Sequence, residues 1–305
     1  MTYEPRRVPR LEHRVLRGLR HRLSWWGDAT KNPVVLLHGW GDSSETWQFL
    51  VDALPDDWSC VGLDWRGFGG TDWPQQGYWF PDYFADLEAL LDELSPDAPV
   101  RAIAHSMGGN IATMYGGIRP GRFEWIVNLE GIGLRQVPPE GAPDRYIEWL
   151  DQQKTQLRER RYTTLDVLVD FLVARNPGMP RERAEFVARA WSTADDDGSG
   201  ALKLAFDPRH RNVNPTIFQR PEAEACWQRV TAPVLLLLGG ESEIRGRVKP
   251  ENVTNEYFHS MFRDIRIEML AGAGHMMHIE QPGNVARLAV DFARAVAARR
   301  LLPPA

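Results

Sequence analysis

The chain has 305 residues, 43% hydrophobic and 25% charged, with a formal net charge of −5. That length buries one substantial core, so one α/β domain with an insertion fits better than two independent domains. The acidic balance argues against nucleic acid as a partner, and no run of about 18 apolar residues is present to span a membrane.

Met1 to Arg22 is rich in arginine and lacks an apolar stretch, so no secretory signal is expected and the location expected is cytoplasmic. Arg6, Arg7, Arg10, Arg14, Arg17, Arg20 and Arg22 would suit an anionic partner, but His13 to Trp26 has the pattern of two short strands around Gly18. The arginines are expected on the wet faces of those strands. Val34 to Leu37 is a continuous apolar run, as in a strand covered on both faces, and it ends at His38-Gly39-Trp40-Gly41. Helical spacing follows from Trp47 to Leu54, then a strand from Trp58 to Leu63 that ends at Asp64. A helix over Asp82 to Leu94 places Phe84, Leu87, Leu90, Leu91 and Leu94 on one face. Val100 to Ala104 reads as a strand running into Ser106 and a helix from about Met107, and Trp125 to Leu129 reads as the next strand. Strands regularly separated by helices imply a mainly parallel sheet.

From Leu134 to Arg220 the rhythm changes. Helices are predicted near Asp144–Arg160, Thr164–Arg175 and Arg181–Trp191, with no convincing buried strand. The alternation resumes with Pro233 to Leu238, Ile265 to Leu270 and a last amphipathic helix from about Gly283 to Arg299. The expected organisation is a core of residues 1–133 and 221–305 with an all-helical cap over 134–220. Asp195-Asp196-Asp197-Gly198-Ser199-Gly200 lacks the alternating ligand spacing of a calcium loop, and its twelfth position is Phe206 rather than glutamate, so a solvated turn is expected. Cys60 and Cys226 are expected as buried thiols, without metal-ligand spacing.

A serine hydroxyl becomes a useful nucleophile only with a base to take its proton and donors to hold the oxyanion. Ala104-His105-Ser106-Met107-Gly108-Gly109 places Ser106 between a strand and a helix, with small residues two before and two after it. That is the requirement of a sharp nucleophile elbow. The backbone N–H groups of Trp40 and Met107 are the candidate oxyanion hole. Gly272-Ala273-Gly274-His275 follows the last strand and makes His275 the candidate base.

With these residues and the turn Asp64-Trp65-Arg66-Gly67-Phe68-Gly69-Gly70-Thr71, together with the tail His275-Met276-Met277-His278-Ile279-Glu280-Gln281-Pro282, the chain resembles the α/β-hydrolase family over nearly its whole length. The Ser-Met-Gly-Gly elbow and the His-Gly-Trp-Gly loop are most similar to capped carboxylesterases and meta-cleavage-product hydrolases. The resemblance implies hydrolysis through an acyl-enzyme with no metal and no cofactor, on a small-molecule acyl substrate. A serine at the elbow speaks against the aspartate-dependent members of the fold. The resemblance implies an Asp as acid at the third position after a strand-ending glycine, and this sequence departs from it: Gly240-Glu241-Ser242-Glu243 puts Glu243 there. Glu130, just after the preceding strand, is the rival, and Glu243 is favoured on motif position. His105 and His278 are expected to support the site rather than act as base, and Asp64 and Arg66 to serve a turn or an ion pair. Arg209 and Arg211 are expected to anchor a loop or to meet an acidic substrate. Trp149, Phe171 and Trp191 are expected as cap core or pocket lining. The leading expectation is hydrolysis of a carboxylic ester or related acyl compound. Its alternatives are carbon–carbon bond hydrolysis of a vinylogous diketone acid and a low-turnover receptor on the same fold.

Overall fold

A computed structural model describes residues 2–155, 160–195 and 198–300. Strands β1 (Arg10–Leu16) and β2 (Leu19–Trp26) form an antiparallel hairpin. Its turn residues Arg17 and Gly18 have φ of 52° and 79°, the doubly left-handed geometry that suits the right-handed twist of paired strands. There follow β3 (Val34–Leu37), α1 (Gln48–Ala53), β4 (Cys60–Leu63), α2 (Pro81–Leu94), β5 (Val100–His105), α3 (Met107–Ile118) and β6 (Phe123–Leu129). The next stretch contains α4 (Ala142–Gln153), β7 (Arg161–Tyr162), α5 (Leu165–Arg175), α6 (Arg181–Ala190), β8 (Ser192–Ala194) and β9 (Leu202–Leu204). The chain closes with α7 (Arg220–Trp227), β10 (Val234–Gly239), α8 (Asn255–Met261), β11 (Ile265–Leu270), α9 (Met277–Glu280) and α10 (Pro282–Arg300).

The main sheet has the order β1-β2-β4-β3-β5-β6-β10-β11. From β4 to β11 every neighbouring pair is parallel, and only the β1–β2 hairpin and its junction with β4 are antiparallel. Alternation along each strand sorts side chains into two cores. Val35, Leu37, Val61, Leu63, Ala102, Ala104, Leu236 and Leu238 pack on one face, with α2, α3, α7 and α8 supplying Leu87, Leu91, Ile111, Trp227 and Phe258. Val34, Leu36, Cys60, Ile103, Leu235 and Leu237 pack on the other with Leu50, Val285 and Phe292 from α1 and α10. Burial on both faces is why these strands read as unbroken apolar runs.

The stretch between β6 and α7 is not all-helical. β7, β9 and β8 form a small antiparallel sheet of their own, with strands of two or three residues that are too short for an alternation to register in the sequence. A third apolar cluster joins α5 and α6 to Phe49, Met276 and Ile279 beneath them. Phe171 packs beside Tyr162 there, with ring centroids 6.0 Å apart, and the α4 side chain Trp149 is half-buried. The helix expected over Asp144–Arg160 ends at Gln153, and residues 156–159 lie outside the described residues, as do Asp196 and Asp197 of the acidic turn.

Asp207–Arg211 straps this stretch to the core. Asp207 N–H donates to the Gly67 carbonyl at 2.9 Å and Gly69 N–H to the Ala205 carbonyl at 2.7 Å. The Tyr78 hydroxyl donates to Asp207 Oδ2 at 2.9 Å, and Arg209 reaches the carbonyls of Pro74 and Gln75. The His210 ring stacks between Phe68 and Tyr78, with centroids 3.9 and 3.5 Å away. Gly67 is required here: at φ 73° its missing Cβ would sit 1.9 Å from the Tyr78 hydroxyl oxygen. Cys60 is buried and Cys226 only half-buried, and both are free thiols.

Candidate active site

The sheet order brings the carboxyl ends of β3, β5, β6, β10 and β11 side by side, the edge where open α/β sheets hold their ligands. β5 runs straight into Ser106, which takes φ 50° and ψ −112° before α3 begins at Met107. A serine held in that sparsely populated region is strained, and strain of this kind costs about 1–3 kcal/mol. Close packing enforces it. A Cβ on Gly108 would lie 2.2 Å from the Leu37 carbonyl oxygen, and one on Gly39 would lie 3.2 Å from Ser106 Cβ. α3 therefore starts in contact with the end of β3, and the His38–Gly41 loop lies against the serine. His38 Nδ1–H donates to the Gly39 carbonyl at 2.7 Å while Nε2 accepts from Trp65 N–H at 3.0 Å, which fixes the ring and the loop together. Met107 is the first residue of α3, so its N–H has no partner within the helix. Trp40 is half exposed, its ring centroid 5.5 Å from that of Phe206.

His275 Nε2 lies 3.1 Å from Ser106 Oγ, and His275 Nδ1 lies 2.6 Å from Glu130 Oε2. The carboxylate beside the imidazole is thus Glu130, and Glu243 is not brought to it. Glu243 opens a short 3-10 helix, is exposed, and makes no hydrogen bond or ion pair among the described residues. That turn aims Ser242 inward instead. Its hydroxyl donates to Glu130 Oε2 at 2.6 Å, and Gly239 N–H donates to Glu130 Oε1 at 2.7 Å. Glu130 is buried and itself adopts φ 57°, a left-handed turn that swings its side chain across the end of β10. The Glu130–Gly131 turn is possible because a Cβ on Gly131 would meet Gly109 Cα at 2.6 Å. Ser242 was missed in the sequence, where only its position one residue before the expected acid marked it.

The loop carrying His275 is braced from below. Gly274 N–H donates to Glu280 Oε2 at 2.5 Å, and Arg183 donates to the Ile279 carbonyl at 2.6 Å. His105 Nε2–H donates to the His275 carbonyl at 2.9 Å. Burial, with the neighbouring His278 and His275 rings, holds the His105 pKa well below the ordinary imidazole value, so His105 is neutral. It supports the loop, as expected of it. His278 is fully buried against Trp47, with ring centroids 4.7 Å apart, and its Nε2 is 3.6 Å from Asp42 Oδ2.

Asp64 and Arg66 do not pair with each other. Asp64 accepts from Ser44 N–H, Gly70 N–H and Arg22 at 2.6, 2.8 and 2.6 Å, whereas Arg66 makes two 2.6 Å bonds to Asp86. Arg22 is therefore largely buried rather than on a wet strand face, because it neutralises the Asp64 carboxylate under the turn. Burial raises the Asp64 pKa, and Arg22 with the surrounding donors outweighs it, so this carboxyl titrates below its usual range.

Residues 34–288 match a family model described as "Alpha/beta hydrolase family". A "Serine hydrolase-like protein" of Danio rerio is 27% identical over 88% of this chain and 83% of its own length. A "Putative 2-succinyl-6-hydroxy-2,4-cyclohexadiene-1-carboxylate synthase" of Bacillus subtilis is 26% identical over 92% of this chain and 96% of its own. Among solved structures, the "Thioesterase Domain From Curacin Biosynthetic Pathway" superposes with a TM-score of 0.80 at 19% identity, covering 93% of this chain and 99% of that one. No described helix is long and apolar enough to cross a membrane.

Proposed function

Because the chain belongs to the alpha/beta hydrolase family and is a hydrolase, we propose that it cleaves a carboxylic ester or related acyl compound through Ser106, His275 and Glu130. The observation that carries this reading is the unbroken line from Ser106 Oγ to His275 at 3.1 Å and from His275 to buried Glu130 at 2.6 Å. Ser106 Oγ attacks the acyl carbon while His275 Nε2 takes its proton. Glu130 holds the imidazole with its proton on Nδ1 and stabilises the imidazolium that forms. The N–H groups of Trp40 and Met107 receive the oxyanion, helped by the positive end of α3. His275 then protonates the departing group, and a water deprotonated by His275 releases the acyl group from Ser106. Residues 134–220 act as a cap whose Trp40-facing side, at Phe206, meets the substrate.

A second reading, in which the substrate also carries a carboxylate, is favoured by Arg211. Arg209 is committed to Asp207 and two carbonyls. Arg211 has no ion pair among the described residues; its guanidinium carbon lies 5.3 Å from the Phe206 ring centroid, and Phe206 in turn packs against Trp40. Carbon–carbon bond cleavage of a vinylogous diketone acid belongs to this reading. Rapid mixing with an activated ester and with a diketone acid separates the two. An acyl-enzyme predicts a burst of one product per active site with the ester. No burst and no turnover on any ester would remove the first reading.

A further inference from the structure

Behind the imidazole of His275 lies a second cluster that the hydrolytic reading does not use. Asp42, His105 and His278 each offer one ligand atom, and these atoms all lie within 4.8 Å of one another. The three residues are 4%, 2% and 0% exposed. Asp42 Oδ2, His105 Nδ1 and both ring nitrogens of His278 are buried with no partner within hydrogen-bond distance, a rare condition for polar atoms in a folded core, and Asp42 Oδ2 meets His278 Nε2 only at 3.6 Å. The sequence hides this set, because its members are separated by 63 and 173 residues (105 − 42 and 278 − 105) and show no ligand spacing.

The geometry points to a buried site for a first-row transition ion such as Zn²⁺, with Asp42, His105 and His278 as ligands. Two of the three are already oriented as metal ligands are. His105 donates its other ring nitrogen to the His275 carbonyl at 2.9 Å, the outer bond that fixes a ligating imidazole. Asp42 Oδ1 is saturated by Ser43 N–H, the Thr46 hydroxyl and Trp191 Nε1–H at 2.8, 2.8 and 2.7 Å, which leaves Oδ2 turned toward the histidines. Two imidazoles and a carboxylate are the donors zinc takes in sites with an open fourth position. Bonds of about 2.0–2.1 Å in a tetrahedron set ligand atoms about 3.4 Å apart, so binding draws the three side chains inward by about 1 Å. A dication held there opposes the imidazolium that His275 must become, since the His105 and His275 rings are 4.6 Å apart. The ion is therefore inhibitory. That consequence rests on the proposed roles of Ser106 and His275, whereas binding does not.

The test uses chelator-treated full-length protein titrated with Co²⁺ and followed by visible absorption, then competed with Zn²⁺. One equivalent should bind with the intensity of a four-coordinate ion, and Zn²⁺ should displace it. The ¹⁵N resonances of His105 and His278 should move on addition of Zn²⁺, an observation that needs no variant. Asp42→Asn and His278→Gln should each weaken binding by about tenfold or more, and substituting the exposed His13 and His259 by Gln should leave it unchanged. Absence of stoichiometric binding, or binding that survives His278→Gln, would overturn the site. Zn²⁺ should also slow turnover, with recovery on chelation. Intact binding without inhibition would leave the site standing and overturn its link to His275.

Discussion

Replacing Glu130 with Gln isolates the role of the carboxylate. The isosteric amide must still accept from Gly239 N–H through the atom now at Oε1, because an NH₂ group there would face another donor at 2.7 Å. A buried donor–donor clash costs about 1–3 kcal/mol, enough to fix the amide orientation. The NH₂ then occupies the Oε2 position, 2.6 Å from His275 Nδ1, and donates to it. That forces the imidazole proton onto Nε2, where it points at Ser106 and cannot receive the serine proton. Loss of the correct tautomer costs about 10³–10⁴ in kcat, or about 4–5.5 kcal/mol. The assay is kcat on an activated ester, with circular dichroism and chemical denaturation confirming that the variant folds. Glu243→Gln, at an exposed side chain without partners, should stay within about twofold, and the double variant should add nothing to Glu130→Gln. A mild Glu130→Gln beside a crippled Glu243→Gln would refute the reasoning.

Burial pushes the His210 pKa down to about 3. A lowered imidazole pKa means that the unfolded chain binds the extra proton first, so this contribution is complete above about pH 6.5 and is lost as pH falls toward 3, by up to about 1.4 kcal/mol per pH unit. His210→Phe, which keeps a ring between Phe68 and Tyr78, should flatten the fall of denaturation midpoint between pH 6.5 and 4.5; an unchanged slope would dismiss His210 as its source. Gly108→Ala places a Cβ 2.2 Å from the Leu37 carbonyl oxygen and should cost at least about 1–3 kcal/mol in urea unfolding. Stability equal to the parent would show that the elbow is looser than this packing implies. With Ser106, His275 and Glu130 as the proposed hydrolytic groups, treatment with a chelator should leave turnover unchanged or raise it, and loss restored by a divalent ion would contradict the proposed chemistry.

The fold was legible because its strands are buried on both faces: Val34–Leu37 and Val234–Leu238 read as strands without any periodicity argument. Ser106 and His275 stood out as candidates because Ser106 follows β5 directly and His275 follows β11 after the short loop 271–274, and a strand end narrows where the next side chains can be. The carboxylate that lies beside His275 was not, because motif position ranks carboxylates only along the chain. The choice between Glu130 and Glu243 depends on a left-handed turn at Glu130 and on the 3-10 turn that sends Ser242 inward and Glu243 out. The small sheet of β7, β9 and β8 escaped because strands of two or three residues carry no pattern. Arg22 was misplaced on a wet face because its partner, Asp64, comes from another strand end.

The central claim is that Ser106 is the nucleophile. A fluorophosphonate probe reacts with a serine only where a base and an oxyanion hole activate it, so digestion and mass spectrometry of the labelled protein read the claim directly. The account predicts one adduct, on Ser106, absent in Ser106→Ala and strongly slowed in Glu130→Gln. An adduct on any other serine, or labelling that persists in Ser106→Ala, would contradict it.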